Sequence, residues 1–373
     1  MNPQPLRILQ LNTVFNGGGT DNQTMELAIG LSALGHTVAT ACPEGRRCSK
    51  QMADAGFAVR HVEPKSKPKL ILQLRRLIRA EGFQVIHSHH GRDYWPAVIA
   101  SRLSGKRPAV VVTRHLATLP SRASRIFLLS GVDALVAVSD HVKKLLLADL
   151  WGPTERIHRI YGGIDLTKFH VIYPAASAAY RRNHGAGPHH VVFAVVGAFG
   201  LPRGKGQLEF VEAAWLVRKA HPEARFWIIG QGSMRPLLEQ RIAKLGLGEI
   251  VRIIPFTDAI ATAMNAIDVL VHPAVGTEAL GLVLWEAMAC GKPVIASNLG
   301  GIPEAFREPD HGMLVFPADV PQLAWAMTSL FENPESRAAM GTAARNYALE
   351  QCSRERQARE MAELYRAVLR SRV

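Results

Sequence analysis

Cysteine is scarce in this chain. Four are present in 373 residues, at Cys42, Cys48, Cys290 and Cys352. No two form a CxxC pair and no histidine stands near them at metal spacing, so a zinc module is not expected, and the usage fits a reducing compartment. No apolar run approaches the roughly 18–20 residues that a membrane-spanning helix needs. The N-terminus passes from Met-Asn-Pro-Gln-Pro directly into the strand-like Arg7–Leu11. No charged stretch followed by an apolar one precedes that strand, so no signal peptide is expected. Acidic residues are depleted in one stretch. Residues 60–125 carry 14 basic and 3 acidic side chains, net +11, while the whole chain carries +13. A field of that sign attracts phosphates, anionic headgroups or nucleic acid. Aromatic residues are also few in that stretch. Only Phe83, Tyr94 and Trp95 are interleaved with its basic residues, which argues against nucleic acid, because single strands are held by stacking on aromatic rings.

At this length the chain can hold two domains, each with its own core. Hydrophobic residues make up 48%, which suits a soluble globular protein. Strand-like apolar runs alternate with helical patterns, the signature of parallel α/β architecture. The expected strands are 7–11, 36–41, 85–87, 109–113 and 134–138 in the first half. In the second half they are 191–196, 225–229, 250–254, 268–272, 293–297 and 313–316. The stretch 171–190 is rich in Ala, Pro, Gly, Tyr and His without a period, and reads as a linker. The end of the chain, from Pro321, carries apolar stripes at helix spacing.

The most informative stretch is Glu278-Ala-Leu-Gly-Leu-Val-Leu-Trp-Glu286, followed by Ala-Met-Ala-Cys-Gly-Lys-Pro-Val-Ile-Ala. Two carboxylates stand eight positions apart around a Gly281-Leu282-Val283 turn that opens a helix. One acid before the helix N-terminus and one inside it can grip a ligand at two points. The free backbone N–H groups between them favour a phosphate. A sugar nucleotide has that shape, with hydroxyls at both ends and a diphosphate between.

This stretch resembles the donor-site signature of the retaining family 4 glycosyltransferases (glycosyl transferases group 1), as does its setting between Asp268-Val-Leu-Val-His-Pro273 and Ser297-Asn-Leu-Gly-Gly-Ile-Pro-Glu304. The resemblance covers nearly the whole chain. It implies the GT-B fold, two Rossmann-like domains whose parallel sheets face each other across a cleft. The N-terminal domain, 1–170, would bind the acceptor and be completed by a C-terminal helix at 355–373. The nucleotide-sugar domain would span 191–354, after the 171–190 linker.

Further segments carry the resemblance. Val195-Val-Gly-Ala-Phe-Gly-Leu-Pro-Arg203-Gly-Lys205-Gly is a strand leading into a glycine-rich basic loop, whose Arg203 and Lys205 suit a diphosphate. Relatives often place Arg where this chain has Ala198. Asn12-Thr-Val-Phe-Asn-Gly17-Gly18-Gly19-Thr20-Asp21 resembles the family's first-strand loop, near donor diphosphate and acceptor, through Gly18 and Gly19. The loop is not GxGxxG, so no dinucleotide fingerprint is present. His87-Ser-His89-His90 resembles the family's His-x-His segment, which puts His89 beside the transferred sugar. Gly232, in Ile229-Gly-Gln-Gly232, and Phe256, in Ile254-Pro-Phe256, fall on loops that hold the nucleotide. Ile160-Tyr-Gly162-Gly163-Ile-Asp165 resembles the turn near the domain boundary, with Gly162 replacing the usual Asn.

The resemblance thus implies a retaining hexosyltransferase of the cell-envelope or lipopolysaccharide type. Glu286 would hold the ribose, while Glu278 and Gly281–Val283 hold sugar hydroxyls and phosphate. Arg203 and Lys205 would neutralise the leaving group in place of a metal, and the chain offers no Asp-x-Asp pair in a likely loop. The expected co-substrate is a UDP-, GDP-, ADP- or TDP-sugar, and the acceptor a glycan or lipid-linked saccharide. A nucleotide-sugar epimerase of the same shape, or an anionic-polymer-binding protein, are the alternatives. Basic residues 65–79 lie on a pattern with apolar positions at 70, 71, 74, 77 and 78. Either its arginines meet an anionic membrane or they form a solvated face over a sheet. The expected location is cytoplasmic, at most peripheral on the membrane.

Overall fold

The computed structural model describes residues 4–118, 125, 131–149, 154–200 and 204–372. They divide into two compact units, 1–164 with 353–373 and 165–352. Each is an α/β unit built on one wholly parallel sheet.

The first sheet has seven strands in the order β3-β2-β1-β4-β5-β6-β7: β1 Arg7–Leu11, β2 Thr37–Cys42, β3 Ala58–His61, β4 Val85–Ser88, β5 Ala109–Arg114, β6 Ala134–Ala137 and β7 Ile157–Arg159. Ile8 stands beside Val38 on one side and Val85 on the other. The central strands are buried on both faces, so apolar residues dominate them without strict alternation. The C-terminal helix Arg354–Arg370 closes this unit against Gly19–Ala33. There a Cβ on Gly30 would lie 2.8 Å from that of Ala358. Tyr365 from the same helix is fully buried, and its hydroxyl lies 2.6 Å from His87 Nδ1.

The second sheet has six strands, β8 Val191–Val196, β9 Ala224–Ile229, β10 Val251–Ile254, β11 Val269–His272, β12 Val294–Ser297 and β13 Gly312–Val315, in the order β10-β9-β8-β11-β12-β13. Phe193, Phe210, Phe226 and Met327 fill one side of it. In both sheets the strand order reverses beside the first strand, between β1 and β4 and between β8 and β11. Open parallel sheets take their ligands outside the carboxyl ends of the strands at such a reversal.

Three features differ from the sequence reading. β3 and β7, not expected, add an edge strand to each side of the first sheet. The stretch 171–190 is not a patternless linker: it contains the helix Pro174–Asn183 and belongs to the second unit. Arg181 anchors it there, donating to Asp268 Oδ2 at 2.9 Å and to the Ala266 carbonyl at 3.0 Å. The basic helix Lys67–Glu81 turns Leu70, Leu74 and Ile78 into the core. Leu72, Arg76 and Arg79 remain exposed. No helix among the described residues is long and apolar enough to cross a membrane.

Candidate functional site

In the second unit the residues converge where β8 and β11 end. The loop after β8 returns through Gly204, Lys205 and Gly206 to start the helix Gln207–Val217. Gly206 has φ +83°, and a Cβ there would lie 1.9 Å from the Pro273 carbonyl oxygen. Only glycine permits that approach, which clamps the basic loop onto the end of β11. Gln207 braces it from the other side, its Oε1 accepting the Lys205 backbone N–H at 2.7 Å.

Lys205 Nζ meets Glu278 Oε1 in a short ion pair. His272, the last residue of β11, places Nε2 3.4 Å from the same oxygen. Burial pushes the Glu278 carboxyl upward, but His272 and then Lys205 outweigh it and bring it down to about 2. Glu278 is therefore an anion with one cation from the adjacent loop against it. Its backbone carbonyl also accepts from Gly301 N–H at 3.1 Å, which ties the 300–301 turn to the site.

The helix Leu282–Ala289 starts at Gly281, which adopts a left-handed conformation and makes no side-chain cap. Among the described residues no hydrogen bond is made by its first N–H groups, from Leu282 and Val283, and such groups suit an anion. Glu286 lies one turn along, half-buried. Gly232 follows β9 on the same end of the sheet. A Cβ on it would stand 2.2 Å from the Phe199 carbonyl. Phe256 follows β10 with a half-exposed ring. Arg203 lies outside the described residues.

The first unit carries its own cluster, where β1 and β4 end. Asn12 Nδ2 donates to Asp21 Oδ1 at 2.9 Å, and Asp21 Oδ2 accepts Gly17 N–H at 2.9 Å. The glycine loop is thereby pinned at Gly17, while the space beside Gly18 and Gly19 stays open. His90 Nε2 reaches Asp21 Oδ1 at 3.2 Å. His89 is buried; its Nδ1 lies 3.2 Å from His115 Nε2, and its Nε2 has no hydrogen-bond partner among the described residues. Burial, then neighbouring imidazoles, hold the His89 ring well below its ordinary range, and His115 falls to about 3. Both rings are neutral at physiological pH. Asp93 is fully buried beneath the same loops and accepts Thr13 N–H at 3.0 Å; burial pushes it up to about 6.

The structure therefore joins Lys205 with Glu278, and sets Gly281–Val283, Glu286, Gly232 and Phe256 on the same sheet end. His89, Gly18 and Gly19 belong to the first unit's cluster. Sequence reasoning assigned no role to His272, Asp21, Asn12, Thr13 or Asp93. The available signal was positional: His272 and Asn12 are polar residues at or just beyond the end of an apolar strand. His115, the residue just after β5, is another polar residue at a strand end that was assigned no role.

A family model described as glycosyl transferases group 1 matches residues 178–347, and one described as glycosyltransferase family 4 matches residues 17–168. A D-inositol 3-phosphate glycosyltransferase of Pseudarthrobacter chlorophenolicus is 30% identical over 300 residues, covering 74% of this chain and 68% of that protein. A GDP-mannose-dependent alpha-(1-6)-phosphatidylinositol monomannoside mannosyltransferase of Mycolicibacterium smegmatis is 31% identical over 244 residues. That match covers 63% of this chain and 62% of the relative. The crystal structure of Anabaena HepE in complex with UDP superposes with a TM-score of 0.86 at 20% identity, covering 97% of this chain and 100% of the other.

Proposed function

We propose that this chain, which belongs to glycosyltransferase family 4, transfers a sugar from a nucleoside-diphosphate sugar to a cell-envelope glycan or lipid-linked acceptor, with retention of anomeric configuration. The observation that carries the reading is the Lys205–Glu278 ion pair at the strand-order reversal of the second sheet, beside an open helix N-terminus.

The chemistry follows from these groups. Glu286 accepts hydrogen bonds from the ribose hydroxyls. The N–H groups of Leu282 and Val283 receive diphosphate oxygens, and Lys205 supplies a cation to the charge that develops as the glycosidic C–O bond breaks. Arg203, two residues before Lys205, adds a second cation, so the reading expects no divalent metal. Glu278 accepts from the sugar hydroxyls. The first unit is assigned the acceptor, with its neutral His89 ring and the open space beside Gly18 and Gly19. No side chain is assigned as a covalent nucleophile. Retention then follows from attack by the acceptor on the face the leaving group vacates, with the departing phosphate taking the acceptor's proton.

The donor base is open between uridine, as in the UDP complex of the HepE structure, and guanosine, as in the name of the mannosyltransferase relative. The latter's phosphatidylinositol acceptor supports a lipid-linked anionic acceptor here, met on the cytoplasmic face of the membrane. The basic helix Lys67–Glu81 would bring the enzyme to that surface through Lys69, Arg76 and Arg79.

The test is release of nucleoside diphosphate from UDP-, GDP-, ADP- and TDP-sugars, with and without excess EDTA. The reading predicts turnover of at least one donor that survives the chelator. No turnover with any donor and acceptor lipid extract contradicts it. Loss in EDTA restored by Mg²⁺ or Mn²⁺ contradicts the metal-free mechanism.

A further inference from the structure

Glu278 is gripped from two sides, and the two grips differ in permanence. Lys205 approaches on a flexible stem, with its side chain 37% exposed. His272 approaches from the end of β11 with its side chain 3% exposed. The imidazole lies beneath the turn: a Cβ on Gly281 would stand 3.7 Å from its Cδ2. An incoming diphosphate competes with Glu278 for the Lys205 ammonium, because carboxylate and phosphate oxygens satisfy the same donor. His272 cannot follow, since it is fixed in the strand.

The state of the ring suits a second role. At 3.4 Å its Nε2 stands outside a well-formed hydrogen bond to Glu278. Neither ring nitrogen has another hydrogen-bond partner among the described residues. A buried donor left without a partner is costly, so the ring has reason to close on the nearest acceptor. That acceptor is the oxygen Lys205 would vacate. Among the described residues the charged and titratable groups that influence Glu278 are His272 and Lys205.

We propose that His272 is a positioning residue that takes over the Glu278 carboxylate when Lys205 moves to the donor diphosphate. The Nε2–H donates to Oε1, and Glu278 stays ionised and aimed while the ammonium is engaged elsewhere. The inference rests on the donor-site reading above for what Lys205 moves to, but not for the grip itself.

The test therefore has an arm that needs no donor. Lys205→Met mimics the departure of the ammonium, and the Glu278 carboxylate is followed by carbon-13 NMR as pH falls. Lys205→Met alone should keep the Glu278 midpoint below its ordinary value. Adding His272→Gln, whose amide nitrogen stands in for Nε2–H, should leave it low. Adding His272→Phe should raise it by a tenfold change in ionisation or more. With Lys205 intact, His272→Phe should lower kcat at saturating donor by at least roughly tenfold, and move the acid limb of the kcat profile upward, with KM little changed. His272→Gln should stay within about threefold of the parent.

Identical Glu278 titrations in Lys205→Met and Lys205→Met with His272→Phe would overturn the proposal. So would a folded His272→Gln as impaired as His272→Phe, which would mark simple packing. Turnover in the parent that no His272 variant alters removes this inference alone. A parent that turns over none of the four donor classes removes the reading of the site beneath it.

Discussion

Acid should weaken the second unit through one carboxylate, and replacing Glu278 with Gln should abolish that dependence. The Glu278 carboxyl falls from its ordinary 4.5 to about 2 in the folded protein, because His272 and Lys205 outweigh burial. Each tenfold change in ionisation corresponds to about 1.4 kcal/mol, so the ionised form favours folding by about 3 kcal/mol at neutral pH. The folded value lies below the unfolded one. The contribution is therefore complete above about pH 4.5 and is lost as pH drops towards 2. Integrated between pH 7 and pH 3, the loss comes to about 2 kcal/mol. The Lys205 side chain is 37% exposed. Solvent screens its share, which lowers the expected loss to about 1–2 kcal/mol. The assay is urea unfolding at both pH values, read from tryptophan fluorescence; the buried indoles of Trp227 and Trp285 report on this unit. The parent should lose that much more stability than Glu278→Gln over the interval. Parallel losses, equal within about 0.5 kcal/mol, would refute the ion-pair geometry.

Two further outcomes follow from the site and the surface. Glu286→Ala should weaken donor kcat/KM by at least roughly tenfold while the protein stays folded, since a charge-assisted hydrogen bond is worth about 1.5–3 kcal/mol; a folded variant with donor kinetics equal to the parent's would remove Glu286 from the ribose. Arg76→Glu with Arg79→Glu should release the protein from anionic vesicles in a co-sedimentation assay while donor hydrolysis in solution persists. Binding to vesicles that those changes leave intact would mark the helix face as an ordinary solvated one.

The core of each sheet was legible because central parallel strands are apolar on both faces. Val191–Val196 announces itself as an unbroken run, and Ala109–Arg114 opens with four apolar residues in succession. The edge strands did not. Ala58–His61 and Ile157–Arg159 each pair with a single neighbour and carry Arg and His in three or four residues, so neither composition nor alternation marks them. The helix Pro174–Asn183 escaped for a different reason. It is held by alanine propensity and by Arg181, and none of its residues is buried, so it has no apolar stripe to detect.

The candidate site shows the same division. Glu278 and Glu286 were visible because they share one short segment with a fixed spacing. The contact of Glu278 with Lys205 spans 73 residues and depends on how the loops after β8 and β11 are folded back, which no local pattern reports. His272 looked like a strand end and nothing more. Its role emerges only when the Gly206 turn packs on Pro273 and brings the ammonium over the same carboxylate. The histidines of the first unit were visible as a cluster, but their neutrality is a product of burial and could not be read from spacing.

The most direct test of the account is calorimetric titration of UDP-, GDP-, ADP- and TDP-sugars into the parent protein, Lys205→Met and Glu286→Ala. The account predicts that the parent binds at least one of the four donor classes and that each folded variant binds it at least about tenfold more weakly, because each loses a charge-assisted contact to the nucleotide. Donor affinity unchanged in both variants, or a parent that binds none of the four donor classes, would contradict it.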